Sequence, residues 1–155
     1  MTLEQALDPS IGLLIRFVFG TMFLAAGASK LSDLGEFADA IKLYRIIPGA
    51  TAGAVARVVS ITEVVLGTVL LLGVGIRYAA VVGSALLLIF ALAMAVNLLR
   101  GRQIPCGCKR ESEPIQIKHI LRNALSVAAL LFLATLPAHQ WAVDALIEPR
   151  LLSFP

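Results

Sequence analysis

Four apolar blocks, 11–31, 54–75, 77–99 and 120–136, divide this chain, and each is close to the ~20 residues that an α-helix needs to cross a bilayer. Their apolarity is continuous, without the alternation of a membrane β-strand. Because a backbone in lipid must satisfy its own hydrogen bonds, helices are the reading that remains. Composition agrees: 59% of the 155 residues are hydrophobic, 15% are charged and the mean hydropathy is +0.90. Soluble domains carry about a quarter charged residues. The chain reads as one domain over 1–155, an all-α membrane protein whose core is a four-helix transmembrane bundle. Four crossings put both termini on one side. A cleaved signal peptide is the rival reading of the first block. The residues before it hold Glu4 and Asp8 and no base, and the apolar run is long for a signal, so it is read as a retained helix.

The net charge of +3 raises nucleic acid as a partner, but the bases sit at block ends and in short loops without interleaved aromatics. That distribution excludes nucleic acid and points to membrane topology and anionic lipid. Lys30, Lys42, Arg45, Arg57, Arg100, Arg102, Lys109, Arg110, Lys118 and Arg122 fall on the side of the first and third connections, against Arg16, Arg77 and Arg150 on the other. By the positive-inside rule those two connections are cytoplasmic, in a multi-pass protein of the cytoplasmic (inner) membrane.

Within the first connection, residues 36–46 place Phe37, Ala40, Ile41, Leu43 and Tyr44 at helical spacing among Glu36, Asp39, Lys42 and Arg45, and Pro48-Gly49 ends the run. This predicts a short interfacial helix between helices one and two, serving either as a surface anchor or as a lid over a site at that face. The connection 73–77 is so short that the second and third spans must be antiparallel neighbours. Small residues Gly20, Gly27, Gly67, Gly83 and Ser84 allow close backbone approach between helices. After Pro137 the tail is expected to lie on the membrane surface through Trp141, Leu146 and Phe154.

The two cysteines of the chain, Cys106 and Cys108, are separated by Gly107 and followed by Lys109 and Arg110. A disulfide across one glycine closes a very small ring, is displaced from relaxed geometry and is therefore more easily reduced. Adjacent cations favour the reactive thiolate. The pair reads as a thiol/disulfide exchange site. Two other readings stay open: a metal site, for which His119 and His139 offer poor partners, and inert or acylated surface cysteines.

Glu63 lies about nine residues into the second span, roughly 14 Å from the cysteine face at 1.5 Å per residue, and an ionisable group at that depth is a functional candidate. Arg16 lies roughly 21 Å from the same face by the same rise, so the two are expected to pair. Nearer that face come Lys30, Arg57, Asn97, Arg100, Arg122 and Asn123, whose cations alternatively snorkel to headgroups.

These residues resemble the MauE branch of the DoxX-like membrane proteins. The resemblance rests on Arg16-Phe-x-Phe-Gly with Gly27-Ala-Ser-Lys30-Leu31, on Glu36-Phe37 through Tyr44 and Ile47-Pro48, and on Glu63 with Gly67 and Leu70-Leu71-Leu72-Gly73. It rests also on Asn97-Leu98-Leu99-Arg100-Gly101 before Cys106-Gly107-Cys108 and on Ile120-Leu121-Arg122-Asn123-Ala124, and its most specific part is the Asn97 to Cys108 stretch joined to Arg122-Asn123. Where the family tends to follow its second cysteine with Phe-Gly, this chain has Lys109-Arg110-Glu111. The resemblance implies an accessory role in forming or rearranging disulfides of an exported redox protein, in that family the small subunit of methylamine dehydrogenase, alongside a thioredoxin-like protein. That role calls for cysteines outside, against the charge rule.

The reading that follows is a membrane-embedded redox accessory protein. Cys106 and Cys108 exchange with a partner protein, and a second thiol protein, or a quinone near Glu63 and Arg57, accepts electrons. An alternative is a non-catalytic subunit or assembly factor of a larger redox complex, with incidental cysteines. Transport through the bundle ranks last, since four short helices without a repeat suit alternating access poorly. Oligomeric state and resting redox state are not legible in the residues.

Overall fold

A computed structural model describes residues 9–102, 104 and 115–136, with side chains from residue 11. Those residues form five α-helices: α1 (Pro9–Ser32), α2 (Leu34–Tyr44), α3 (Ala52–Leu72), α4 (Ile76–Leu99) and α5 (Ile117–Thr135). A single 3-10 turn, Gly49–Thr51, leads into α3. No strand occurs among the described residues. Four of the helices are long and apolar enough to cross a membrane, and α2 is the short helix predicted between the first two spans. The chain is a multi-pass membrane protein. The expected surface-lying tail falls outside the described residues.

The span boundaries differ from the apolar blocks for local reasons. α3 stops at Leu72, short of 75, because Gly73 turns left-handed at φ 74° and its N–H, with that of Val74, closes on the Val69 carbonyl. Only glycine takes that conformation without a Cβ penalty. α5 begins three residues ahead of its apolar block, because Gln116 and His119 form a reciprocal cap: the Gln116 N–H donates to His119 Nδ1 at 3.1 Å while the Gln116 side chain accepts from the His119 backbone. α2 is capped at its start by Asp33, whose carboxylate accepts the Glu36 N–H at 3.0 Å.

α1 packs most extensively on α3, and α4 on α5. The α3–α4 hairpin is antiparallel as its short turn demands, but it contributes less contact than either of those pairs. The α1–α3 seam is made by glycines. A Cβ at Gly67 would lie 2.6 Å from the Leu24 nitrogen, and one at Gly27 would lie 2.8 Å from the Ser60 carbonyl, so the backbones approach with nothing between them. Gly83 similarly admits the Phe23 ring beside Leu130.

Rising numbers on α1 meet falling numbers on α3, so α1 and α4 run toward one end of the bundle while α3 and α5 run away from it. At that end lies the 102–115 connection, and it is called the loop end below. The apolar core, with Phe19, Phe23, Leu66, Leu70, Ala79, Ala80, Leu130 and Leu133, fills the opposite end and the middle. A smaller cluster of Phe37, Ala38 and Ala56 seats α2 on α3 at the loop end.

Candidate functional site

Lys30 occupies the last turn of α1 and Glu63 the middle of α3, and the two side chains meet inside the bundle. Lys30 Nζ donates to both carboxylate oxygens of Glu63, at 2.5 and 2.6 Å, with side chains only 9% and 4% exposed. Two rings complete the surroundings of the ammonium: Phe37 of α2 at 5.2 Å and Phe90 of α4 at 5.3 Å. An ammonium over aromatic faces is attracted by their quadrupoles, most strongly when it is desolvated. One ion pair thus ties together α1, α2, α3 and α4, and α2 covers it.

The expected pairing of Glu63 with Arg16 is therefore corrected. Arg16 is buried, but its Nε donates to the Leu70 carbonyl at 3.1 Å and its Nη2 to the Leu71 carbonyl at 3.4 Å. These are last-turn carbonyls of α3, which have no partner within the helix, and the Gly73 turn already satisfies Val69. A guanidinium there also complements the negative end of the helix. The reason for the exchange of partners is the lean of side chains toward the N-terminus of their own helix. Lys30 leans up α1 and Glu63 leans down α3, so they converge. Arg16 leans away from Glu63, toward the far end of α3.

Around the pair, the loop end holds further buried polar side chains: Ser60, Asn97, His119 and Asn123. Ser60 Oγ returns its proton to the Ala56 carbonyl at 2.8 Å, and Asn97 Nδ2 donates to the Ala93 carbonyl at 3.0 Å. Arg57, Arg100 and Arg122 are exposed, so the structure does not gather them at Glu63. Cys106 and Cys108 lie outside the described residues. The two ends of their connection are joined, however, since the Ile115 N–H donates to the Ile104 carbonyl at 3.0 Å. Ile115 is buried at that junction. Among the described residues no group of three or more His, Cys, Asp or Glu side chains is placed to hold a metal.

The sequence reading missed the two aromatic partners of Lys30. The helical spacing places Phe37 on the apolar face of the short helix, a signal that foretells its burial but not its neighbour. Phe90 is one apolar residue in a wholly apolar span and carries no distinguishing signal.

The sequence model of methylamine utilisation protein MauE matches residues 8–136. The chain belongs to the MauE family. Among MauE proteins, that of Paracoccus denitrificans is 37% identical over 85% of this chain and 73% of its own length. The MauE of Paracoccus versutus is 37% identical over 88% of this chain and 76% of its own, and that of Methylophilus methylotrophus 32% identical over 84% and 70%. No solved structure matches. The MauE match spans all five helices, so Lys30, Glu63 and the residues that enclose them lie within the matched stretch.

Proposed function

We propose that this MauE-family protein is a membrane-embedded accessory factor of redox-protein maturation in methylamine utilisation, acting by thiol/disulfide exchange through Cys106 and Cys108. The observation that supports it most is a Cys-Gly-Cys pair in a connection tied at its base by Ile104 and Ile115, at the end of the bundle where buried polar groups concentrate. In the exchange, a thiolate of the pair attacks a partner disulfide and forms a mixed disulfide. The second cysteine displaces it, leaving two thiols on the partner and a Cys106–Cys108 disulfide. Run in reverse, the same steps place a disulfide in an exported partner and leave the pair reduced. A thioredoxin-like protein's disulfide can reoxidise the pair. So can a quinone, which takes both electrons and both protons to become a quinol. The bundle supplies a rigid seat in the inner membrane, fastened by Lys30 and Glu63.

Cys106→Ser and Cys108→Ser variants are expected to differ, one of them accumulating a mixed disulfide that is visible on non-reducing gels and dissolves with reductant. If neither variant captures a protein and both support full maturation in cells, the exchange reading is wrong. The second reading, a non-catalytic subunit, is favoured by the closed and fully paired character of the Lys30–Glu63 site. It predicts stoichiometric co-purification with a partner, undisturbed by Cys106→Ser. Sidedness separates export-side from cytoplasmic chemistry: a membrane-impermeant maleimide labels Cys106 in intact cells if the loop faces outward, and only after lysis if the basic connections are cytoplasmic.

A further inference from the structure

The end of α4 is closed by two hydrogen bonds, Arg102 N–H to the Asn97 carbonyl at 3.1 Å and Gly101 N–H to the Leu98 carbonyl at 3.0 Å, around Gly101 at φ 66°. In this type of cap the first and last residues are brought against each other, commonly through an apolar contact. Here the two positions hold Asn97 and Arg102, which are polar and bear complementary groups. Asn97 is fully buried; its Nδ2 serves the Ala93 carbonyl, while its Oδ1 is buried and accepts no hydrogen bond. Arg102 Nη1 is likewise buried and donates none. One capping motif therefore holds an unmatched acceptor and an unmatched donor that do not bond to each other, and each forfeits its hydration without return.

We propose that a single hydroxylic oxygen binds in this cap, donating its proton to Asn97 Oδ1 and accepting from Arg102 Nη1. The chemistry selects the class. A carbonyl or carboxylate serves the guanidinium but has no proton for the amide oxygen. An ammonium serves the amide oxygen but cannot accept from the guanidinium. An O–H group does both with one atom. Two sources present such an oxygen at the loop end: a buried water, which typically makes about three hydrogen bonds, and the head-group hydroxyl of a quinol dissolved in the membrane. The site discriminates between redox states of the second source, because an oxidised quinone carries no proton for Asn97. The inference concerns only the C-terminal cap of α4 and holds whether or not the cysteines exchange electrons.

The test uses the full chain in lipid nanodiscs, with Asn97→Leu, Arg102→Met and the double variant. If one oxygen bridges both groups, each single change lowers the melting temperature and the double change is no worse than the more damaging single. A melting temperature for Asn97→Leu at or above that of the parent overturns the proposal, since replacing a truly unmatched polar group by an apolar one stabilises or is neutral. Additive losses also overturn it. Two measurements on the unaltered protein distinguish the sources. A quinol is indicated if a decyl-substituted hydroquinone raises the melting temperature saturably and binds at least tenfold more tightly than its oxidised form, with that preference lost in Asn97→Leu, which no longer accepts the hydroxyl proton, and kept in Arg102→Met. Water is indicated if the hydroquinone has no effect and a high-resolution structure shows an ordered oxygen within hydrogen-bonding distance of Asn97 Oδ1 and Arg102 Nη1. If there is neither a hydroquinone effect nor an ordered oxygen, the inference fails even if the variants do not fold. A cysteine-free chain should give the same results, which separates this outcome from failure of the exchange reading.

Discussion

The two ends of the bundle are built on different principles. Away from the loop end, the interior is Phe19, Phe23, Leu66, Leu70, Ala79, Ala80, Leu130 and Leu133, packed through glycine seams, and the buried Arg16 closes the carbonyls that α3 cannot bond for itself. At the loop end, the interior holds Lys30, Ser60, Glu63, Asn97, His119 and Asn123. The first end solves the problem any helix bundle meets in lipid, where every polar backbone group needs a partner. The second carries polar groups that the bilayer does not require and that are expensive to keep there. Groups retained at such cost are candidates for function, and here they lie at the end of the bundle to which the 102–115 connection is attached.

The strongest way to break this contrast is to remove one half of the ion pair. Glu63→Ala leaves the Lys30 ammonium buried against Phe37 and Phe90 without its carboxylate, at an expected cost of about 3–5 kcal/mol. Unfolding of the detergent- or bicelle-embedded protein reads that loss. Replacing Lys30 and Glu63 together by leucine should recover much of it, because no uncompensated charge remains. Were Glu63→Ala no worse than a lipid-facing change such as Val65→Ala, the polar end would hold no special energetic status.

How much of this was legible in the sequence differs between the two ends in the same way. The spans and the short helix could be read because continuous apolarity and helical spacing are properties of single segments. The glycine contacts could be read as well, because a small residue in an apolar helix has few other uses. The partner of Glu63 was misassigned because depth was reckoned by rise per residue alone. On that scale Arg16 is within reach, but the direction in which side chains lean favours Lys30 decisively. That signal is present in the sequence, since consecutive spans joined through one face of the membrane run antiparallel. Phe90 and the unmatched groups of Asn97 and Arg102 were not legible by any such rule, since they depend on how separate segments meet or on how a cap seats its side chains.

A smaller effect sharpens the correction. Arg16→Leu removes the donors to the Leu70 and Leu71 carbonyls, and a hydrogen bond to a charged group is worth about 1.5–3 kcal/mol. Since Arg16 bonds the last-turn carbonyls of α3 and Glu63 bonds Lys30 nearer the opposite end, the losses from Arg16→Leu and Glu63→Ala should add to within about 0.5 kcal/mol. A pairing of Arg16 with Glu63, as the sequence alone suggested, requires the opposite: a double variant little worse than either single. The cycle therefore distinguishes the two arrangements without a structure.

The smallest effect concerns the cover of the ion pair. Phe37→Leu keeps α2 apolar at its contact with Ala56 but removes one of the two rings from the Lys30 ammonium, for an expected loss of about 0.5–2 kcal/mol. Lost packing alone would give a change of similar size, so the informative measurement is the same substitution in a chain carrying Lys30→Leu and Glu63→Leu. If the ring acts through the ammonium, Phe37→Leu costs measurably less there than in the parent. An equal cost in both backgrounds would mean that α2 is held by apolar contact only and senses nothing of the charge beneath it. The loop end would then be a polar interior under an indifferent cover, and a role for α2 as a lid over that site would have no energetic basis.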